Sequence, residues 1–131
     1  MKDYRKVIIA ELKSIDAKHM QLMLRRRGWE TEMVNNTTDL LNKIATDRYN
    51  LVIVSDNLPD GSIIEVAPKI KKISDQGDTL PVVAVTNFTI ELEKQQILRA
   101  GADYCLTKPV YNNSLTEVIG HIIEQEQVTA A

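Results

Sequence analysis

Short apolar runs alternate with longer amphipathic segments along the whole chain. Three of the runs, residues 7–10, 51–54 and 81–85, carry no charge and are rich in β-branched residues, which is typical of parallel strands buried on both faces, while residues 31–34 give a weaker signal. The longer segments place apolar residues three and four positions apart, which predicts helices. The predicted strands are residues 7–10, 31–34, 51–54, 81–85 and 103–106, and the predicted helices are residues 15–27, 37–48, 63–74, 89–100 and 114–125. This alternation of five strands with five helices indicates an α/β fold with a parallel sheet covered on both faces.

Local signals refine two of the predicted helices and the end of the chain. Pro68 lies inside the third predicted helix, where it removes a backbone hydrogen bond, so we expect a kink or a late start there. Ser114 and Glu117 have the spacing of a capping box, which predicts that the last helix begins at this serine. Residues 126–131 are polar and end in alanines, so we expect a flexible tail. A single domain is therefore predicted for residues 1–125.

The composition narrows the classes of partner. The chain has 131 residues and a net charge of −2, so we expect one domain without a basic surface for nucleic acid. No apolar run approaches the roughly 20 residues that a membrane-spanning helix needs. Cys105 is the single cysteine, which excludes an internal disulfide, and no Cys/His cluster has zinc-site spacing. We expect a cytoplasmic protein, or a cytoplasmic part of a larger one, that binds neither nucleic acid nor membranes.

The candidate chemistry lies where the predicted strands end. In open α/β sheets, ligands bind in the crevice beyond the carboxyl ends of the strands. The residues with functional side chains at these ends are Glu11, Ser55, Asp56, Thr86 and Lys108. Because the ends of parallel strands meet at one edge of the sheet, we expect these side chains to converge.

Residues around these strand ends resemble the receiver (response-regulator) domain of bacterial two-component signalling. The resemblance is carried by residues 7–11, 49–61, 81–86 and 100–109, and it covers nearly all of residues 5–124. It implies a flavodoxin-like three-layer α/β/α sandwich with strand order 2-1-3-4-5. It also implies a role in a phosphorelay, as a whole protein or as part of a larger regulator or hybrid kinase.

The resemblance assigns a role to each side chain of the site. In this family an aspartate after strand three accepts a phosphoryl group, and two acids after strand one hold Mg²⁺. A lysine after strand five pairs with the phosphoryl oxygens, and a Thr or Ser after strand four hydrogen-bonds them. Lys108 and Thr86 match the last two roles. Either side chain could instead be structural, the lysine by pairing with Glu11 or Asp56 and the threonine by capping a helix.

The acid positions depart from the family pattern. The phosphoacceptor position, four residues before Pro59, is Ser55, and Asp56 comes one residue later. Side chains alternate along a strand, so Asp56 should face away from Ser55 unless a bulge re-aims it. The acid pair falls on Glu11 and Leu12, and leucine cannot coordinate a hard cation. We therefore predict no metal site and no cofactor.

The signal-transmitting position also departs from the pattern. The family usually has a switch aromatic three residues before the lysine, where this chain has Cys105. The leading hypothesis is therefore a pseudo-receiver, not an enzyme, that binds a protein partner or a second copy through roughly residues 88–123. One alternative is a working phosphoacceptor that uses Asp56 with Mg²⁺. A second alternative is a small-ligand-binding domain of the same fold.

Overall fold

The structure is a computed structural model that describes residues 5–12, 14–56, 58–87 and 90–130, without the side chains of 78 and 127–130. Its strands are β1 Arg5–Ala10, β2 Trp29–Val34, β3 Leu51–Ser55, β4 Val82–Thr86 and β5 Tyr104–Thr107, and its helices are α1 Ile15–Arg26, α2 Thr37–Thr46, α3 Ile63–Ile73, α4 Glu91–Ala100 and α5 Asn112–Ala130. The five strands are parallel and lie in the order β2-β1-β3-β4-β5, which confirms the predicted fold class. None of the helices in the described ranges is long and apolar enough to cross a membrane.

Helix α3 begins at its predicted residue although Pro68 lies inside it. A capping box fixes this start: Glu65 N–H donates to Ser62 Oγ at 3.2 Å, and Ser62 N–H donates to Glu65 Oε1 at 3.1 Å. The predicted late start is therefore wrong, while the kink stays a prediction. The predicted start of α4 at residue 89 lies outside the described residues, and the helix begins at Glu91.

Helix α5 begins at Asn112, two residues before the predicted start. The carbonyl oxygen of Tyr111 accepts an early helical hydrogen bond, from Leu115 N–H at 3.2 Å. Ser114 is therefore inside the first turn, and its assignment as the capping residue is wrong. At the other end the backbone stays helical beyond residue 125, and Arg5 contacts Glu126 at 3.3 Å. The flexibility of residues 126–131 stays a prediction.

The sheet separates two apolar layers because side chains alternate along each strand. In β3, Val52 and Val54 pack with residues of α2, α3 and α4 on one face of the sheet. Leu51 and Ile53 pack with residues of α1 and α5 on the other face. All four side chains are at most 1% exposed. Continued alternation therefore assigns Ser55 to the α1/α5 face and Asp56 to the α2/α3/α4 face.

Asp60 attaches the loop after β3 to the start of α2. Its carboxylate accepts hydrogen bonds from the backbone N–H groups of Thr37, at 2.7 Å, and Thr38, at 3.1 Å. The Thr37 N–H is the main reason that the pKa of Asp60 falls from 3.8 to about 2. Because the folded pKa is below the unfolded one, this group stabilises the fold above pH 3.8 and loses that effect as the pH falls toward 2.

We expect Asp60→Asn, which keeps an acceptor oxygen but removes the charge, to lower the free energy of unfolding at neutral pH. The difference from wild type should shrink as the pH falls from about 4 to about 2, because the wild-type carboxylate becomes protonated there. Urea unfolding at a series of pH values measures this difference. Asp75→Asn is the control. Asp75 is exposed, and its ion pair at 3.6 Å is with Arg48, which is equally exposed. A pH-independent difference for Asp60→Asn would contradict the assignment.

Candidate functional site

The carboxyl edge of the sheet gathers all the polar strand-end residues that the sequence identifies. Each of these residues ends or directly follows one of the strands β1, β3, β4 and β5: they are Glu11, Ser55, Asp56, Thr86 and Lys108. Their hydrogen bonds and ion pairs connect them in one crevice. The predicted convergence is therefore present, and its internal contacts decide what the site can do.

Lys108 forms the buried half of the site with Glu11 and Ser55. Its Nζ donates to Ser55 Oγ at 2.8 Å and lies 3.1 Å from Glu11 Oε2. The side chains of Lys108 and Glu11 are 9% and 2% exposed. Glu11 Oε1 accepts from the N–H of Leu12 at 3.0 Å, which fixes the carboxylate. The lysine thus has the ion pair with Glu11 that a structural role requires.

Asp56 forms the second half of the site with the end of β4. Its Oδ2 accepts hydrogen bonds from Thr86 Oγ1 at 2.6 Å and from the backbone N–H of Asn87 at 3.0 Å. Asp56 N–H donates to Val85 O at 3.1 Å, so regular pairing with β4 continues and no bulge re-aims the side chain. Alternation therefore separates Asp56 from Ser55, yet Thr86 keeps the carboxylate within the crevice. The Asn87 N–H is a site group that the sequence analysis missed.

Two carboxylate oxygens share the ammonium of Lys108 without a well-formed hydrogen bond. Glu11 Oε2 and Asp56 Oδ1 are buried and have no hydrogen-bond partner in the described part of the chain. Glu11 Oε2 is nevertheless ion-paired at 3.1 Å, while Asp56 Oδ1 is 3.9 Å from Lys108 Nζ. The first contact is a close charge pair with unfavourable hydrogen-bond angles, and the second is too long for a hydrogen bond. The site is therefore electrostatically paired but not fully satisfied.

These residues do not fit a magnesium site. The divalent ion needs several oxygen ligands at short range, and the crevice offers the carboxylates of Glu11 and Asp56 beside the apolar Leu12. The ammonium of Lys108 already lies against Glu11 at 3.1 Å. Within the described ranges, no group of three or more His, Cys, Asp or Glu side chains could hold a metal ion. That the protein uses no metal stays a prediction.

Cys105 is half-buried in β5 and packs against the α2/α3/α4 layer. Burial is the main cause that raises the pKa of its thiol. The neighbouring Tyr104 packs against the α1/α5 layer, on the other face of the sheet. The aromatic ring of Tyr104 is therefore on the opposite face from the position that the family uses as a switch.

A groove of about 350 Å³ lies beside Glu11, between α1, the end of β2 and the start of α2. Its volume is at the lower end of the range for small-molecule sites. It is lined by Glu11, Ser14, Ala17, Lys18, Gln21, Met33, Val34, Asn35 and Asp39. The groove thus gives the small-ligand alternative a physical location.

Comparisons with known proteins identify relatives that match most of this chain. The family model of the response regulator receiver domain matches residues 7–120. The chain is 27% identical over 125 residues, or 95% of its length, to the sensor histidine kinase RcsC of Salmonella typhi, and the match spans 13% of that kinase. It is also 26% identical over 106 residues to the polar-differentiation response regulator DivK of Brucella anthropi, which covers 81% of this chain and 85% of DivK.

Solved receiver structures share the fold. The response regulator receiver domain protein (CheY-like) of Methanospirillum hungatei JF-1 superposes with a TM-score of 0.84 at 25% identity, covering 95% of this chain and 98% of that one. The receiver domain of the sensor histidine kinase PA1611 of Pseudomonas aeruginosa, solved with magnesium coordinated in its active site cleft, gives a TM-score of 0.80 at 19% identity, covering 93% of this chain and 99% of that one. The second likeness shows the fold alone.

We expect Lys108→Met to lower the free energy of unfolding by about 3–5 kcal/mol, because it leaves the buried carboxylate of Glu11 without its ion-pair partner. Adding Glu11→Gln to this variant should recover a large part of the loss, since the carboxylate that Lys108 pairs at 3.1 Å is then replaced by a neutral amide. Urea unfolding of both single variants and the double variant measures the coupling. Lys72→Met, at an exposed position, is the control. Additive effects of the two substitutions would contradict the pairing.

Proposed function

The chain belongs to the response regulator receiver family, and on that premise we propose that it is a pseudo-receiver, which signals by binding protein partners without accepting a phosphoryl group. The observation that carries this proposal is the contact of Lys108 with Ser55, the residue at the phosphoacceptor position. A serine hydroxyl becomes a nucleophile when a neighbouring base takes its proton. Lys108 donates a hydrogen bond to this hydroxyl, so the lysine does not serve as that base.

Asp56 is the remaining candidate acceptor, and its environment supports the same proposal. Its Oδ2 already accepts two hydrogen bonds, from Thr86 and from Asn87 N–H, which stabilise the negative charge that an attack would use. Its Oδ1 is buried. Among the residues that the structure describes, neither oxygen faces a set of acids that fits Mg²⁺ to offset the charge of an incoming phosphate. Phosphorylation of Asp56 with Mg²⁺ is the alternative that the following experiment tests.

We expect no added phosphoryl group on the wild-type chain after incubation with acetyl phosphate and Mg²⁺, as measured by intact mass. The matched positive control is the double variant Leu12→Asp/Ser55→Asp, which restores both acids of the family pattern and should gain one phosphoryl group. Asp56→Asn is the negative control. A phosphoryl group that is added to wild type but not to Asp56→Asn would contradict the proposal and establish Asp56 as the acceptor.

The proposed partner surface is the face of α4, β5 and α5, within residues 88–123. Three large apolar side chains are exposed along its described part: Ile90 at 60%, Leu92 at 64% and Tyr111 at 66%. Clustered exposed apolar groups are a feature of surfaces that bind other proteins, and these three side chains lie at the start of α4 and just before α5. Helix α1 also exposes Ile15 at 86%, so it provides a competing face. By family resemblance we assign the contact to the α4-β5-α5 face, with a second copy of the chain as the partner to test first.

We expect the purified domain to dimerise and Leu92→Glu to weaken the dimer at least about tenfold, because the contact would bury an unpaired carboxylate. Ile15→Glu is the matched control on the other face and should leave the dimerisation constant unchanged. Sedimentation equilibrium over a range of protein concentrations measures both. Loss of the dimer in Ile15→Glu would move the interface to α1, and a wild-type chain that stays monomeric would reject the homodimer.

The small-ligand alternative rests on one observation, the groove beside Glu11. The groove combines the apolar residues Met33 and Val34 with charged residues of both signs, Lys18 and Asp39. Such a mixture of apolar walls and a few polar groups is typical of ligand pockets. This alternative would be favoured by a ligand that co-purifies with the protein and is found bound in this groove.

A further inference from the structure

Three hydrogen-bond donors converge near the ends of β4 and β5. The hydroxyl of Thr86 and the backbone N–H of Asn87 point at one place, where both reach Asp56 Oδ2 within 3.0 Å. The ammonium of Lys108 lies 3.9 Å from the other oxygen of the same carboxylate. A hydroxyl, a backbone N–H and a buried ammonium together form an environment that stabilises an oxyanion.

We propose that this is an oxyanion-binding site that the protein fills with its own Asp56 carboxylate. The inference rests on the proposed function, since it gives a physical reason why the site does not take up an external group. The carboxylate lies at the oxyanion position because Asp56 follows Ser55 by one residue and so faces Thr86. An external oxyanion is kept out by the volume of this carboxylate and by its negative charge.

By family resemblance, Thr86 and Lys108 contact phosphoryl oxygens, which gives the chemical class of the excluded ligand; what is specific to this chain is that Asp56 takes its place. A planar carboxylate satisfies Thr86 and Asn87 with one oxygen, but its second oxygen stays buried without a hydrogen bond, 3.9 Å from Lys108 Nζ. A tetrahedral oxyanion has several oxygens, so one of them can accept from Thr86 and Asn87 while another reaches Lys108. The site therefore fits inorganic phosphate or a group of the same shape and charge.

The donors themselves are held firmly enough to outlast removal of the carboxylate. Thr86 is 0% exposed, and its carbonyl oxygen accepts from Lys108 N–H at 2.8 Å, which ties the ends of β4 and β5 together. Lys108 Nζ keeps its contacts with Glu11 and Ser55 in the absence of Asp56. A vacated site should therefore keep its shape.

The test is titration of Asp56→Ala with inorganic phosphate in a chloride buffer of low ionic strength, followed by the backbone amide signal of Asn87 in ¹H–¹⁵N NMR spectra. We expect this variant to bind phosphate at least about tenfold more tightly than wild type. Its Asn87 amide should exchange with solvent faster than in wild type, and phosphate should slow the exchange again. Such a rescue reports on occupancy of the site and not merely on folding.

Two variants control the experiment. Asp75→Ala removes the same charge at an exposed residue outside the site and should behave as wild type. Thr86→Val in the Asp56→Ala background removes one donor at nearly constant volume and should abolish the gain. If Asp56→Ala does not fold, Asp56→Ser, which also lacks the charge and is shorter than aspartate, takes its place.

The inference is overturned if Asp56→Ala binds phosphate no more tightly than Asp75→Ala, or if the shifts map away from Asn87. This readout is reversible binding to a variant, whereas the proposed function is decided by covalent phosphorylation of wild type. The two can therefore fail separately. A phosphorylated wild type would reject the pseudo-receiver, and a variant that does not bind phosphate would reject the self-filled site.

Discussion

The alternation of side chains along β3 is the constraint on which this site depends. The strand is paired on both sides in unbroken register, Ala10 with Val54 and Ser55 with Val85, so its residues cannot rotate individually. A position along such a strand therefore fixes the face on which a side chain lies. Moving an acid by one residue carries it from the face of Glu11 and Lys108 to the face of Thr86. The chemistry of the crevice changes although the same types of side chain are present.

The partners of the buried charges follow from this division of the site between the two faces of the sheet. On one face, Lys108 is held between Glu11 and Ser55, and a charge so poorly exposed needs close partners to persist there. On the other face, Asp56 obtains its stabilisation from a hydroxyl and a backbone N–H. The two halves face each other across 3.9 Å, a distance at which attraction persists without a hydrogen bond. The edge of the sheet is thus occupied by internal pairs.

The sequence predicts the architecture well because the relevant signals are local. Uncharged β-branched runs predict the strands β1, β3 and β4, amphipathic segments predict the helices α1 to α5, and the family resemblance gives the strand order. The capping boxes show the limit of local signals: Ser62 with Glu65 and Ser114 with Glu117 have the same spacing, but only the first caps a helix. The difference arises because α5 begins upstream of Ser114, where the carbonyl of Tyr111 already accepts a helical bond.

The site, like the fold, can be predicted from the sequence in part. Strand ends identify which side chains converge, and alternation correctly separates Asp56 from Ser55. The bond from Asn87 N–H to Asp56 could not be predicted, because a backbone donor carries no signature in residue identity. The sequence also could not predict that the Asp56 carboxylate stays within the crevice, because the face of the sheet does not determine how far a side chain lies from the crevice.

A site filled from within has a consequence for how the domain can respond to a signal. A ligand shifts a conformational equilibrium only through a difference in its affinity for the two states. With a self-filled site, the donors of Thr86 and Asn87 are taken by Asp56, so no external phosphoryl group creates such a difference at this edge. Any change of state must then be driven by contacts made elsewhere, and the exposed apolar side chains of Ile90, Leu92 and Tyr111 offer the surface for them. Under this proposal, the displaced acid shifts control of the domain from phosphoryl transfer to the binding of partners.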